Sequence, residues 1–522
     1  MMMAKNTSRG ISYGLSIMSM RRLSTVTATE TTTTTMKKKK RNSTFWKKDK
    51  KKEGERDTDL YRRLSALGSR TDVNVGDTIN EWIKEGKSVE KSAILGFVRE
   101  LRKYKKHDHA LQLLEWLDKR GRDLSHGDLA VRLDLIAKAK GLDSAEEYFM
   151  SLPESSKNKF TYGALLNCYC VEKMTDKAMD LLEKMKKLNC ASTRLVYNNL
   201  ISLRMKVGEP EKVPSLVKEM KEKSITPNVL TYSALMNSYA LLKDIDKAEG
   251  VIEEMKEDRV GCDWSTYANL ASIYVKAGHF DKANSTLEEI EKRNDLREPK
   301  AYHILIGLYS LTSNRLGVDR VWGSLQSAFP KLSNRCYLHK LQALHRLGDI
   351  DDLEKCFKEW ESNCANYDIR LVNVLIESYL HREMIKEAEA VREAAEKKGC
   401  KPNFRTLEML MNFYLKERQV DSALKCLENA GSRLKDNEWK PNEDSVSMFL
   451  KYLEEEKDVN GAENLLKSLK KFRSINTEVY ESLIRTYVAA DKREPRMHSR
   501  IKEDGIEITP GLKRLIEKVC PE

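Results

Sequence analysis

A pattern of apolar residues with the spacing i, i+3, i+4, i+7 recurs along most of the chain. It reads Tyr-x-x-Leu-Leu-x-x-Tyr from Tyr162 to Tyr169, and further copies keep the spacing with Leu, Ile, Met or Ala at the inner positions. The copies begin at Tyr162, Tyr232, Tyr267, Tyr302, Val372, Leu407 and Tyr480. Because this spacing places side chains on one face of a helix, each copy predicts an amphipathic α-helix.

The pattern has a constant period. Equivalent positions lie 35 residues apart at Tyr162, Tyr197, Tyr232, Tyr267, Tyr302, Tyr337 and Val372. A second helix is predicted in each repeat by a small and a larger apolar residue seven positions apart, as at Ala178 and Met185. Glycines fall at one phase between the two helices, where a tight turn needs a permissive backbone: Gly208, Gly278 and Gly348. One such hairpin cannot bury its apolar face alone, so the sequence predicts an all-α fold, a right-handed α-α superhelical solenoid of about 10–12 helical-hairpin repeats.

The period also divides the chain. The repeat array is predicted over residues 91–510, preceded by N-terminal capping helices at 57–90 and followed by a C-terminal cap at 511–522. The predicted repeats start near residues 91, 126, 159, 194, 229, 264, 299, 334, 369, 404, 443 and 477.

The N-terminal segment has a different composition. Residues 1–29 contain no Asp or Glu but carry Arg and Lys among Ser, Thr and Met, which is typical of an organelle transit peptide. Arg21 and Arg22 precede Leu23 as in a mitochondrial cleavage site, so residues 1–23 are predicted to be a mitochondrial transit peptide. A chloroplast leader and an ordinary disordered N-terminus are the alternatives. Residues 24–56 form a Thr- and Lys-rich segment that is predicted to be a disordered linker, either a spacer or an electrostatic arm for RNA.

The net charge of +13 belongs mostly to this segment. Residues 1–56 hold fifteen Lys or Arg and four Asp or Glu, a net of +11, which leaves only +2 for the rest. The net charge of the repeats therefore gives little information about a binding partner. The positions of individual charged residues within the 35-residue period are more informative.

A 35-residue helical hairpin with Thr231-Tyr232, Glu253-Glu254-Met255 and a closing Asp263 resembles the pentatricopeptide repeat family, and repeats of uniform length resemble its P class of plant-type organellar proteins. The resemblance implies binding of single-stranded RNA, one base per repeat. In that family the fifth and the last residue of a repeat select the base. Carried over, the resemblance implies cytosine-type pairs Asn198/Asn228 and Asn373/Asn403, a guanine-type pair Ser233/Asp263 and an adenine-type pair Ser447/Asn476. These residues are also typical helix caps and turn residues, so both interpretations stay open.

The second residue of each repeat changes along the chain. It is apolar in the repeats at 159, 194 and 229, as in the family, is Ser265 in the next repeat, and is basic in the four repeats after that. The basic residues are Lys300, Arg335, Arg370 and Arg405. Four cations in register predict a ladder that binds RNA phosphates with little base selectivity; the alternative is a row of solvated charges paired with nearby Asp or Glu.

No catalytic constellation, cofactor motif or metal site is predicted. The sequence contains neither a phosphate-binding GxxxxGK[ST] loop nor an HxE…CxxC deaminase signature, and Cys168 and Cys170 have no second pair nearby. His107 and His109 are expected in an inter-helix turn, and His303 alone among the histidines on the proposed RNA face. No stretch approaches the ~20 apolar residues of a membrane helix, so no membrane segment is expected. No small-molecule substrate is expected either.

Taken together, the residues and the resemblance predict a non-enzymatic mitochondrial RNA-binding protein. It would hold single-stranded organellar RNA along the concave groove and act in transcript stabilisation, processing or translation. One alternative is a structural subunit of the mitochondrial ribosome that contacts rRNA and ribosomal proteins. A second alternative is a protein–protein scaffold.

Overall fold

The computed structural model describes residues 59–64, 66–67, 74–293, 296–364, 366–432 and 439–520. The predicted transit peptide at 1–23 and linker at 24–56 lie outside the described residues. Within the described part all regular structure is helical, which confirms the all-α prediction. None of the helices described is long and apolar enough to cross a membrane.

The chain forms two compact halves, one ending at Ile273 and one starting at Tyr274. The helices of the first half are Val75–Lys84 (α1), Lys91–Lys103 (α2), His107–Lys119 (α3), His126–Lys140 (α4), Leu142–Ser151 (α5), Lys159–Val171 (α6), Thr175–Lys187 (α7), Arg194–Lys206 (α8), Val213–Glu222 (α9), Val229–Leu241 (α10), Ile245–Glu257 (α11) and Trp264–Ala277 (α12), which ends in the second half. Short 3₁₀ turns occur at Glu154–Ser156 and Pro210–Lys212.

The second half continues the alternation of helices. Its helices are Phe280–Lys292 (α13), Pro299–Leu311 (α14), Arg315–Ala328 (α15), Asn334–Leu347 (α16), Ile350–Asn363 (α17), Ile369–Leu380 (α18), Ile385–Lys397 (α19), Phe404–Lys416 (α20), Val420–Ser432 (α21), Glu443–Glu455 (α22), Val459–Lys471 (α23), Thr477–Ala489 (α24), Met497–Glu503 (α25) and Pro510–Val519 (α26). We call the helix that opens a repeat helix A and the next one helix B, and we name each repeat by its first residue.

The turn between helix A and helix B contains a left-handed residue in every repeat from 159 to 477. This is the fifteenth residue of the repeat, with φ between +52° and +81°. Three of these residues are the predicted glycines Gly208, Gly278 and Gly348, whereas others carry side chains, as at Lys173 and Glu383. Because the left-handed conformation brings Cβ close to the carbonyl oxygen, the stacked hairpins must hold these residues in a conformation that they disfavour.

The core lies between successive hairpins. The helix B alanines Ala178, Ala248, Ala283 and Ala388 are completely buried, since a methyl group lets neighbouring helices approach closely. A buried carboxylate, Asp134 of α4, lies 3.0 Å from Arg102 and 2.8 Å from Lys138. A buried charge with two cationic partners is a costly group to leave unpaired, so this cluster fixes α2 against α4.

The tyrosines of the repeat pattern tie helix A to helix B. Within repeat 334, the hydroxyl of Tyr337 donates to Glu359 at 2.9 Å. Tyr379 of repeat 369 donates to Glu354 of the preceding repeat at 2.8 Å. The rings fill the core and the hydroxyls reach carboxylates at its edge, so Tyr337 holds the first turn of α16 and Tyr379 the last turn of α18 against B helices.

Candidate nucleic-acid interface

The last residue of each predicted base-reading pair is the N-cap of the next helix A. Asn228 accepts from the backbone N–H of Thr231 at 3.1 Å, and Asn403 from that of Thr406 at 3.0 Å. Asn476 accepts from Val479 at 3.0 Å in the same way. The capping role considered from the sequence is therefore real, and it leaves the amide nitrogens of these residues as the groups that a base could meet.

The fifth residue Asn198 is joined to its partner through the following repeat. The hydroxyl of Thr231 donates to Asn198 Oδ1 at 2.8 Å and lies 3.0 Å from Asn228 Oδ1. The structure thus brings the predicted pair Asn198/Asn228 together around one hydroxyl group. The second cytosine-type pair has the same arrangement with an additional contact.

Asn373 and Asn403 hydrogen-bond directly to each other. Asn373 Nδ2 donates to Asn403 Oδ1 at 3.1 Å, while Thr406 Oγ1 donates to Asn373 Oδ1 at 2.6 Å. Asn373 is 7% exposed and so lies deeper than Asn198, which is half-buried, whereas its partner Asn403 is exposed. The sequence predicted the two asparagines together and the structure brings them into contact.

The two serine pairs are less constrained at their fifth residue. Asp263 accepts from the backbone of Ser265 and Thr266 at 3.0 and 3.1 Å, while its partner Ser233 is half-buried. Ser447 and Asn476 are both exposed. An aspartate offers acceptors only, whereas an asparagine offers N–H groups as well, so the two pairs differ chemically in the way that the resemblance implies.

The basic second residues are all exposed, but their surroundings differ. Arg370 forms a two-pronged ion pair with Asp368, from Nε at 3.0 Å and from Nη2 at 2.6 Å. The pKa of the Asp368 carboxyl is lowered because that guanidinium hydrogen-bonds to it. Arg405 Nη2 lies 2.9 Å from Glu377. For these two residues the alternative of locally paired charges is what the structure contains.

Arg335 is the member of the ladder that faces histidines. Among the described residues no carboxylate lies within ion-pair distance of it, and its charge acts on His303 and His339. Lys300, at the start of α14, is exposed. The four cations share one register position, but a phosphate at Arg370 or Arg405 would have to compete with a carboxylate already in place.

His303 is packed against a second histidine. It is 6% exposed, its ring stacks on His339 with centroids 4.5 Å apart, and its Nε2 lies 3.3 Å from the sulfur of Cys336. Burial, with the charge of Arg335 as a further cause, lowers the pKa of both imidazoles to about 4. The pair is therefore neutral at physiological pH and fills the place where other repeats carry a polar fifth residue.

Other candidate chemistry is not assembled in the described residues. No cluster of three or more potential metal ligands occurs there, and the ten cysteines are free. Burial raises the pKa of the Cys168 and Cys170 thiols to about 12, which makes them unreactive. His107 and His109, expected in a turn, instead form the first turn of α3.

Sequence reasoning missed the third residue of each repeat. Thr231 was noted as part of a motif, but its contact with Asn198 spans 33 residues, and Thr406 contacts Asn373 over the same separation. The signal available in the sequence was the period itself, because the third residue of a repeat follows the fifth residue of the preceding repeat by 33 positions, two less than the period.

Comparisons with known proteins cover almost the whole described chain. The family model for the pentacotripeptide-repeat region of PRORP matches residues 118–306. A mitochondrial pentatricopeptide repeat-containing protein of Arabidopsis thaliana is 43% identical over 466 residues, 88% of this chain and 92% of the relative. The large ribosomal subunit protein mL101 (rPPR4) of the same plant is 42% identical over 467 residues, 89% of this chain and 95% of the relative. The crystal structure of PPR10 in complex with an 18-nt psaJ RNA element matches 90% of this chain and 77% of that chain, at 18% identity and a TM-score of 0.35.

Proposed function

Since the chain belongs to the pentatricopeptide repeat family, we propose that it binds single-stranded RNA in the mitochondrion and takes part in stabilising, processing or translating an organellar transcript. The observation that carries this proposal is the pairing of the fifth and last residues at Asn198/Asn228 and Asn373/Asn403. These amides lie at the first turns of the A helices, where a stack of repeats offers one polar group after another to successive bases.

The proposed mechanism is passive. Asn198, Asn373 and the exposed Ser447 contact bases, while the basic ladder contacts phosphates, and bound RNA is kept from nucleases or from forming its own structure. Base contacts specify and phosphate contacts position, so the two sets contribute different properties to binding. No bond is made or broken in this mechanism, and we therefore propose a binding protein rather than an enzyme.

A second function is favoured by one of the relatives. The chain is 42% identical to mL101, whose name places it in a large ribosomal subunit. Several fifth residues here are unsuited to base recognition, such as Ala268, which has no polar group, and His303, whose ring is stacked on His339. A protein that stays bound to one rRNA region needs fewer repeats that can recognise a base. The alternative is therefore a structural subunit of the mitochondrial ribosome.

One experiment separates these functions. The tagged full chain is expressed in plant mitochondria, its bound RNA is crosslinked and sequenced, and its sedimentation is followed in sucrose gradients at moderate salt. Crosslinks to one or a few messenger or precursor RNAs, with the protein in light fractions, would support the transcript-binding function. Crosslinks to rRNA, with complete co-migration with the large subunit, would support the ribosomal function. Absence of any RNA crosslink would reject both and leave the protein–protein scaffold.

The mitochondrial location is a separate proposal. It rests on the acid-free residues 1–29 and on relatives whose names place them in mitochondria. A full-length fluorescent fusion should accumulate in mitochondria and should begin at Ser24 after import. Accumulation in chloroplasts would contradict it, and retention of the N-terminal residues would contradict cleavage after Leu23.

A further inference from the structure

In three repeats the third residue contacts the fifth residue of the repeat before it. Thr231 reaches Asn198, Cys336 reaches His303 and Thr406 reaches Asn373, at 2.8, 3.3 and 2.6 Å between the polar atoms. All three contacts span 33 residues. The third residue therefore occupies a fixed place beside the group that the preceding repeat offers to a base.

The two positions match in chemistry along the sequence. In the three contacts above the fifth residue is polar and the third residue of the next repeat has a hydroxyl or thiol group; Ser447, followed by Val479, is an exception. Where the fifth residue is Ala268 or Leu338, the corresponding third residue is the apolar Ala301 or Leu371. This correspondence indicates that the third residue serves the fifth and is not merely a cap of its own helix.

The donors and acceptors around Asn373 in repeat 369 determine the orientation of its amide. Thr406 Oγ1 accepts from the backbone N–H of Asn403 at 3.2 Å, so its own hydrogen is free to be donated. Asn403 Oδ1 already accepts from the Thr406 backbone and from Asn373 Nδ2. The hydroxyl hydrogen therefore goes to Asn373 Oδ1, the nearest acceptor, and turning the amide over would set two carbonyl oxygens against each other.

Repeat 194 has the same donors and acceptors, but no direct bond between Asn198 and Asn228 is found. Thr231 Oγ1 accepts from the backbone N–H of Asn228 at 3.2 Å and donates to Asn198 Oδ1. In both repeats the carbonyl oxygen of the fifth residue is used inside the protein. Asn373 Nδ2 gives one of its two hydrogens to Asn403, so one N–H of Asn373 and the N–H groups of Asn198 remain for a base.

We infer that Thr231 and Thr406 are positioning residues that hold Asn198 and Asn373 with their N–H groups toward the RNA. This inference rests on the proposed RNA-binding function and deepens it. An N–H donor can bond to an unprotonated ring nitrogen, such as N3 of cytosine or N1 of adenine. At that ring position uracil and guanine carry an N–H instead of an acceptor, so an amide N–H aimed at it favours cytosine or adenine, and the hydroxyl of one repeat sets the base selectivity of the repeat before it.

The test uses Thr406→Val, which removes the hydroxyl and keeps the branched shape, and Thr406→Ser, which keeps the hydroxyl. Thr161→Val is the matched control, because Thr161 forms the same capping arrangement with Asn158 but donates to main-chain oxygens rather than to a fifth residue. Asn373→Ala identifies the nucleotide column that this repeat reads. Each full-length variant is used to select from a pool of 20-nucleotide single-stranded RNAs of random sequence, and single-base RNA variants are then compared by anisotropy.

The wild-type chain should enrich a motif with one column of cytosine or adenine that Asn373→Ala flattens. Thr406→Val should flatten the same column, lowering the preference over uracil and guanine by about fivefold to tenfold, the value of one hydrogen bond. Thr406→Ser and Thr161→Val should keep it. An unchanged column in Thr406→Val, or an equal loss in Thr161→Val, would overturn the inference while leaving RNA binding intact. A wild-type chain that enriches no RNA would reject the proposed function itself.

Discussion

The ion pair between Arg370 and Asp368 gives the sharpest prediction about the basic ladder. Asp368 caps α18 by accepting from the backbone N–H of Arg370, and it holds the guanidinium through both carboxylate oxygens. Asp368→Asn keeps an N-capping residue of the same shape and removes the charge that neutralises Arg370. We expect this variant to bind RNA more tightly than the wild-type chain.

The magnitude follows from counterion release. The bidentate pair leaves Arg370 nearly neutral toward a phosphate, so freeing it adds one phosphate contact. For single strands each contact contributes about 0.7 to the slope of log K against log salt, which at about 0.1 M salt is about a fivefold gain in affinity, or roughly 1 kcal/mol. A second substitution, Arg370→Gln, should abolish this gain and should have little effect while Asp368 is still present.

The assay is a salt titration of RNA affinity with one fixed single-stranded RNA. Asp349→Asn is the matched control, because Asp349 caps α17, a helix B, and its loss changes the net charge equally. The control should leave the salt slope unchanged. If Asp368→Asn does not steepen the slope, or if Asp349→Asn steepens it as much, Arg370 does not face the RNA backbone and the ladder is an ordinary set of surface charges.

Three further predictions concern stability. Glu383 has a left-handed backbone, so Glu383→Gly should raise the free energy of unfolding by about 1 kcal/mol, measured by urea denaturation. Asp134 is buried between two cations, so Asp134→Ala should lower it by about 3 kcal/mol in the same assay. The pKa of His303 and of His339 is lowered to about 4 from an ordinary 6.5. Between these pH values the unfolded chain binds more protons, so stability should fall as pH falls, by up to about 1.4 kcal/mol per pH unit for each imidazole.

Each has a result that would contradict it. A free energy of unfolding of Glu383→Gly that is equal to or below that of the wild-type chain would mean that the turn is not strained. Gly348 occupies the equivalent position of the preceding repeat and shows that a glycine fits this turn. A loss below about 1 kcal/mol for Asp134→Ala would mean that the carboxylate is solvated. A pH profile of unfolding that His339→Gln leaves unchanged would mean that the stacked imidazoles are not buried together.

Much of the fold could be predicted from the sequence because the pattern is local and repeated. Tyr162 and its equivalents lie in the A helices, and the glycines at 208, 278 and 348 lie in the turns with positive φ. Lys173 and Glu383 share this backbone although neither residue type favours it. Stacking of neighbouring hairpins imposes the turn there, and no local preference could have indicated it.

The candidate site was predictable in position but not in its contacts. The register places Asn198, Asn373 and the four cations correctly on the first turns of A helices, since register depends only on the period. Whether Arg335 or Arg370 is free for a phosphate depends on which carboxylate lies within 3 Å. The distance from the guanidinium to the carboxylate depends on the conformations of both side chains, which the repeat period does not determine.

The sequence by itself therefore determined the helical repeat, its period and the family, because these properties need only a few apolar residues at regular spacing. Only the tertiary structure decided which polar atoms meet. The separation of 33 between Thr406 and Asn373, and the stacking of His303 on His339 across 36 residues, depend on how one hairpin is offset from the next. A side-chain hydrogen bond fails over an error of about one ångström, whereas an apolar face tolerates several, and so packing direction can be inferred from sequence while polar contacts cannot.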